Sequence, residues 1–88
     1  MDDPKNLLQA RGTTHGVWDD NAKCMDDMLN LWSQTNNWHT LTPRQRIALN
    51  LIALKISRIL TGNPDYKDHW DDIVGYAMLG LMGEMARH

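Results

Sequence analysis

Apolar residues recur at helical spacing in three stretches of this 88-residue chain, and no stretch alternates as a strand does. From about Asn21 to about Gln34, Ala22, Met25, Met28, Leu29 and Trp32 fall on one face. Lys23, Asp26, Asp27, Asn30 and Gln34 make the opposite polar stripe. Residues 43–61 predict a second helix: Thr42 suits its cap, Pro43 its first position and Gly62 its stop, and Pro64 prevents continuation. Its apolar groups, Ile47, Leu49, Leu51, Ile52, Leu54, Ile56, Ile59 and Leu60, point in nearly every direction. A one-sided helix needs only about a 100° stripe, so this one is expected to be surrounded, by its own domain or by another copy.

A third helix is expected from near Asp65 or Tyr66 to about Ala86. Trp70, Ile73, Val74, Ala77, Met78, Leu81 and Met85 form its continuous apolar face, which marks Trp70 as a core residue. Asp68 and Asp72 share a second face. Gly75, Gly80 and Gly83 weaken the helix and are expected where a neighbouring helix comes close. A short helix over 3–11 precedes these, with Asp3 as cap, Pro4 at the first position and Gly12 at the exit. The expected fold is all-α: a small antiparallel bundle of three main helices plus a short N-terminal one, in a single domain spanning 1–88. At this length the core is thin, so a homo-oligomer, most simply a dimer, is expected.

Composition narrows the function. Nine Lys and Arg against eleven Asp and Glu give a net charge of −2, which argues against duplex nucleic acid as a partner. No apolar run approaches the roughly 18–20 residues of a membrane span, and the acidic N-terminus lacks a signal-peptide core, so the expected location is cytoplasmic. The single cysteine, Cys24, sits in a helical apolar pattern and reads as packing rather than as a nucleophile. His15, His39, His69 and His88 show no metal-ligand spacing. Nearly all the acids are Asp, often as adjacent pairs, a composition that suits helix starts.

Two groups of residues carry candidate chemistry. Lys55 and Arg58 lie three apart on an otherwise apolar helix, and a buried cation needs a partner. Asp68 and Asp72, one loop away, either close a salt-bridge cluster with them or orient them toward a phosphate. Arg11, His15, Gly16 and Trp18 make a loop suited to lining an anion site. Trp18 and Trp38 are expected in loops, covering the bundle ends or stacking a base.

The segments RGTTHGVWDDNA, ALNLIALKISRIL and DHWDDIVGYAML resemble a family of small phage and prophage proteins associated with nucleotide metabolism or modification. The matching positions are Arg11, His15 and Gly16; Leu54, Lys55 and Arg58; and Asp68, Trp70, Asp72, Gly75, Tyr76 and Leu79. More distantly the chain is similar to MazG-like all-α nucleotide pyrophosphatases, which hold Mg²⁺ between two acidic helices. Asp68 with Asp71 or Asp72 matches the second acidic motif, whereas Lys55 and Arg58 stand where the first belongs. The resemblance implies a nucleotide or cyclic-nucleotide ligand held by Arg11, His15, Trp18, Lys55, Arg58, Asp68, Asp72 and Tyr76. The first reading is a phage-encoded, non-catalytic binder without cofactor that sequesters a host defence nucleotide. One alternative is a Mg²⁺-dependent pyrophosphatase. Another is a module that inhibits a host enzyme through its acidic surface.

Overall fold

The computed structural model describes residues 14–83, which form an all-α bundle of three main helices with no strand among the described residues. Helix α1 spans Trp18–Ser33, α2 Pro43–Thr61 and α3 Lys67–Met82, and a 3₁₀ turn at Trp38–Thr40 joins the first two. The expected short helix over 3–11, together with Arg11 and Met85, lies outside the described residues.

Local chemistry explains the boundaries. The α2 start is a capping box: the Thr42 side chain accepts from the Gln45 N–H while the Gln45 side chain accepts from the Thr42 N–H, with Pro43 following. At the other end the Gly62 N–H donates to the Arg58 carbonyl at 2.8 Å. Helix α1 starts three residues earlier than the apolar pattern implies, so Trp18 is its first residue rather than a loop residue, and Asp19 and Asp20 face the positive end of the helix dipole. The turn into α2 is closed by Trp38, whose ring packs on Trp32 with centroids 5.9 Å apart.

The helices run antiparallel, with α2 in the middle packed against both others. The buried residues among those described are small or polar: Ala48 and Ala53, with Asn21, Lys55, Ser57 and His69. The large apolar side chains of α2 are mostly but not fully buried, and Ile47 and Leu60 are exposed, so the described residues surround this helix incompletely.

Helix α3 departs most from expectation. The face defined by Trp70, Val74, Ala77, Met78 and Leu81 does not enter the core; it is exposed. The inward face carries His69, Asp72, Tyr76 and Gly80. Two contacts impose this rotation. Lys55, buried on α2, takes Asp72 as its counter-ion, and Gly80 meets Ala48 so closely that a Cβ on Gly80 would sit 2.9 Å from the Ala48 Cβ. Trp70 instead lies along the loop before α3, its indole N–H donating to the Pro64 carbonyl at 2.7 Å.

The glycines divide accordingly. A Cβ on Gly62 would lie 2.6 Å from the Thr14 carbonyl oxygen and 2.6 Å from the Gly16 nitrogen, both backbone atoms, whereas Gly75 faces open space. Gly62→Ala is expected to cost about 1–3 kcal/mol through overpacking. Gly75→Ala is expected to stabilise by about 0.5–1 kcal/mol through helix propensity. Urea melts of the two variants check the contrast.

Candidate functional site

Where the end of α2 meets the start of α3, residues 14–16 fold across both. Gly16 has φ 82°, a left-handed conformation that suits glycine, and its open side lies against the Thr61 backbone. The Thr14 carbonyl accepts from the Asn63 N–H at 3.1 Å. The Asn21 amide donates to the His15 carbonyl at 2.6 Å and to the Val17 carbonyl at 3.1 Å. The Ser57 hydroxyl lies 2.9 Å from Asn21 Oδ1 and 2.7 Å from the Leu54 carbonyl, and its one proton serves these two acceptors. Asn21 thus ties the 14–17 segment to α2.

This tie brings His15 onto α3. His15 Nδ1 is 3.1 Å from His69 Nε2, which is also 3.3 Å from the Thr14 carbonyl. His69 Nε2 thus lies between the other imidazole and a carbonyl that can only accept. His69 Nδ1 is buried with no hydrogen-bond partner among the described residues. Tyr66 completes the group, its ring edge-on to both imidazoles at 5.8 and 4.8 Å.

One turn further along α3 sits the charged part of the site. Lys55 Nζ donates to Asp72 Oδ2 at 2.8 Å; the lysine side chain is 11% exposed and the carboxylate 44%. The Lys55 hydrogen bond holds the Asp72 carboxyl below its ordinary pKa, and the Lys55, His69 and Arg58 charges add to this against a desolvation penalty. Arg58 is therefore within electrostatic reach of Asp72, yet its guanidinium makes no hydrogen bond or ion pair among the described residues. Asp68 is turned elsewhere: it lies by the Tyr66 hydroxyl, and its hydrogen bond and charge push that phenol's pKa up.

The structure therefore brings His15, Lys55, Arg58 and Asp72 into one region, with Asp68 at its edge beside Tyr66. Tyr76 stands apart, lining an open groove of about 480 Å³ with Arg44, Ile47 and Leu79. Trp18 is exposed at the start of α1, with no hydrogen bond or ring contact to the site among the described residues. Arg11 lies outside those residues. Sequence reasoning missed Asn21, Ser57, Tyr66 and His69 as members. The i, i+3 spacing of Tyr66, His69 and Asp72 was the available signal for the last two; nothing local marks Asn21 or Ser57.

Among the described residues no three His, Cys, Asp or Glu side chains are grouped to hold a metal ion. Asp72, the carboxylate that a Mg²⁺ site would need, is engaged by Lys55. The arrangement holds one lysine paired with a carboxylate, one arginine with no hydrogen bond or ion pair among the described residues, and a cluster of three rings.

Fold and site define a small all-α protein with a polar, cation-bearing seam between two helices. The chain belongs to the family described as Domain of unknown function (DUF6378), which it matches over residues 1–86. No curated protein and no solved structure matches it.

The ion pair is asymmetric, and so are its expected variants. Lys55→Met leaves a half-exposed carboxylate that water can solvate; Asp72→Asn strands a buried ammonium. Asp72→Asn is expected to lower the melting temperature more than Lys55→Met at pH 7. The lowered folded-state pKa of Asp72 contributes stability present above the unfolded value, about 3.9, and lost as pH falls through the folded value. Wild-type melting temperature is therefore expected to fall more steeply below about pH 4 than that of Asp72→Asn. Thermal melts across an acid pH series check both statements.

Proposed function

We propose that this protein binds a phosphate-bearing nucleotide, without turning it over, at the seam formed by the end of α2 and the start of α3. The observation that carries the reading is Arg58. It is a guanidinium with no hydrogen bond or ion pair among the described residues, on the same helix face as the buried Lys55 and within electrostatic reach of Asp72, one turn from the His15, Tyr66 and His69 cluster. A guanidinium fork suits a phosphate, and the part-exposed rings of His15 and Tyr66, unlike the buried His69, are placed to meet a base. In this reading Lys55 and Asp72 position one another and Arg58 contacts the phosphate.

The resemblance to phage proteins of nucleotide metabolism supports extending the reading to capture of a host defence nucleotide, a stoichiometric task that suits a small chain. The pyrophosphatase alternative draws on the Asp68, Asp71 and Asp72 series of α3, but Asp72 is paired with Lys55 and Asp71 with Lys67. The acidic-surface alternative draws on the exposed Asp residues of α1.

Linear and cyclic nucleotides are expected to raise the wild-type melting temperature, since a ligand at 100 times its Kd stabilises by about 2.7 kcal/mol. Arg58→Gln is expected to melt like wild type but lose this shift. A thermal-shift series with and without Mg²⁺, paired with a pyrophosphate-release assay, checks the reading. No shift with any nucleotide overturns it, and Mg²⁺-dependent release favours the hydrolase instead.

A further inference from the structure

Helix α3 carries two faces that want cover, and α2 takes only one. The outward face holds Trp70, Val74, Met78 and Leu81, which are 53%, 61%, 46% and 77% exposed, with Ile73 and Ala77 completing the stripe. From Ile73 to Gly83 the chain has no charged residue, so covering this face desolvates no ion. Lys67 and Asp71, paired with one another, form a polar edge at the helix start.

We propose that this stripe is the interface of a homodimer in which α3 packs antiparallel against α3 of a second copy. The spacing lets a second copy cover the stripe with the same stripe. Positions 70, 73, 74, 77, 78 and 81 read the same in either direction. A twofold axis between Gly75 and Tyr76 therefore sets Trp70 opposite Leu81, Ile73 opposite Met78 and Val74 opposite Ala77 of the second copy. Each large side chain then meets an apolar one.

Area is consistent with this. The exposed parts of Trp70, Val74, Met78 and Leu81 amount to roughly 450 Å² per copy, or about 900 Å² for the pair; with Ile73, Ala77 and Met82 the face approaches the ~1,200 Å² at which specific interfaces begin. A competing occupant is the chain's own residues 1–13, since Thr14 is held at the start of α3. That segment offers only the adjacent pair Leu7 and Leu8 as large aliphatic residues beyond Met1, too little for a six-residue stripe about three turns long.

Light scattering on wild-type protein at micromolar concentration is expected to give twice the 10.1 kDa chain mass. Val74→Asp is expected to halve that mass with helical circular dichroism retained, and Leu31→Asp, on the exposed side of α1, to leave it unchanged. Should Val74→Asp unfold, cysteine variants decide. In a Cys24→Ser background, Ala77→Cys is expected to cross-link with a short bis-maleimide into a covalent dimer, and Leu31→Cys is not. A wild-type monomer, a dimer that survives Val74→Asp, or equal cross-linking of the two cysteines overturns the proposal. So does a monomer whose Trp70 becomes accessible to acrylamide only after residues 1–12 are removed, which assigns the stripe to the N-terminal segment.

Discussion

Lys55 is the constraint on which the rest of the structure depends. Its ammonium is buried on the central helix, and a buried cation without a counter-ion is too costly to keep. The carboxylate that meets it is Asp72, at 2.8 Å. Bringing Asp72 inward rotates α3 as a rigid rod, so that Tyr76 and Gly80 follow it on the same side. Gly80 then lets Ala48 approach, and Trp70, Val74 and Leu81 are carried to the outside. One ion pair thus decides both what α3 buries and what it leaves uncovered.

The same choice shapes the site. With Asp72 inward, His69 lies one turn earlier on the inner face and meets His15, which the Asn21 and Ser57 hydrogen bonds hold in place. The buried centre is therefore polar where a three-helix bundle of this size would ordinarily be aliphatic. Ala48 and Ala53 fill the narrow space between helices, and large apolar residues are left at the margins. The polar seam that joins the helices also holds the His15, Tyr66 and His69 rings, and Arg58 lies within electrostatic reach of its Asp72.

Much of the fold was legible in the sequence, because caps and breakers act locally. Thr42, Pro43, Gln45 and Gly62 bound α2 in the structure as their chemistry dictates. The Lys55–Asp72 pair was legible as well, since a cation on an apolar face announces its need for a partner, whereas Arg58 and Asp68, grouped with it in the sequence, form no ion pair among the described residues. The rotation of α3 was not. Its most continuous apolar stripe predicted the buried face, and hydrophobic periodicity cannot see that one inward carboxylate outweighs six apolar side chains when the alternative is a stranded ammonium. The membership of Asn21 and Ser57 was equally hidden, because their hydrogen bond spans 36 positions and leaves no trace in local spacing. The oligomer expected from the thin core and the exposed α3 face belong to the same physical fact: a short chain that uses its inner surface for polar contacts has apolar surface left over.

The rotation of α3 is tested most directly by nuclear Overhauser contacts in isotopically labelled protein. Mixed labelled and unlabelled samples separate contacts within one chain from those between copies. The account predicts intrachain cross-peaks from the Ala48 methyl to the Gly80 Hα protons. Intrachain cross-peaks from Ala48 to the Val74 methyls would contradict it, because they would place the apolar stripe of α3 in the core and leave Lys55 without Asp72.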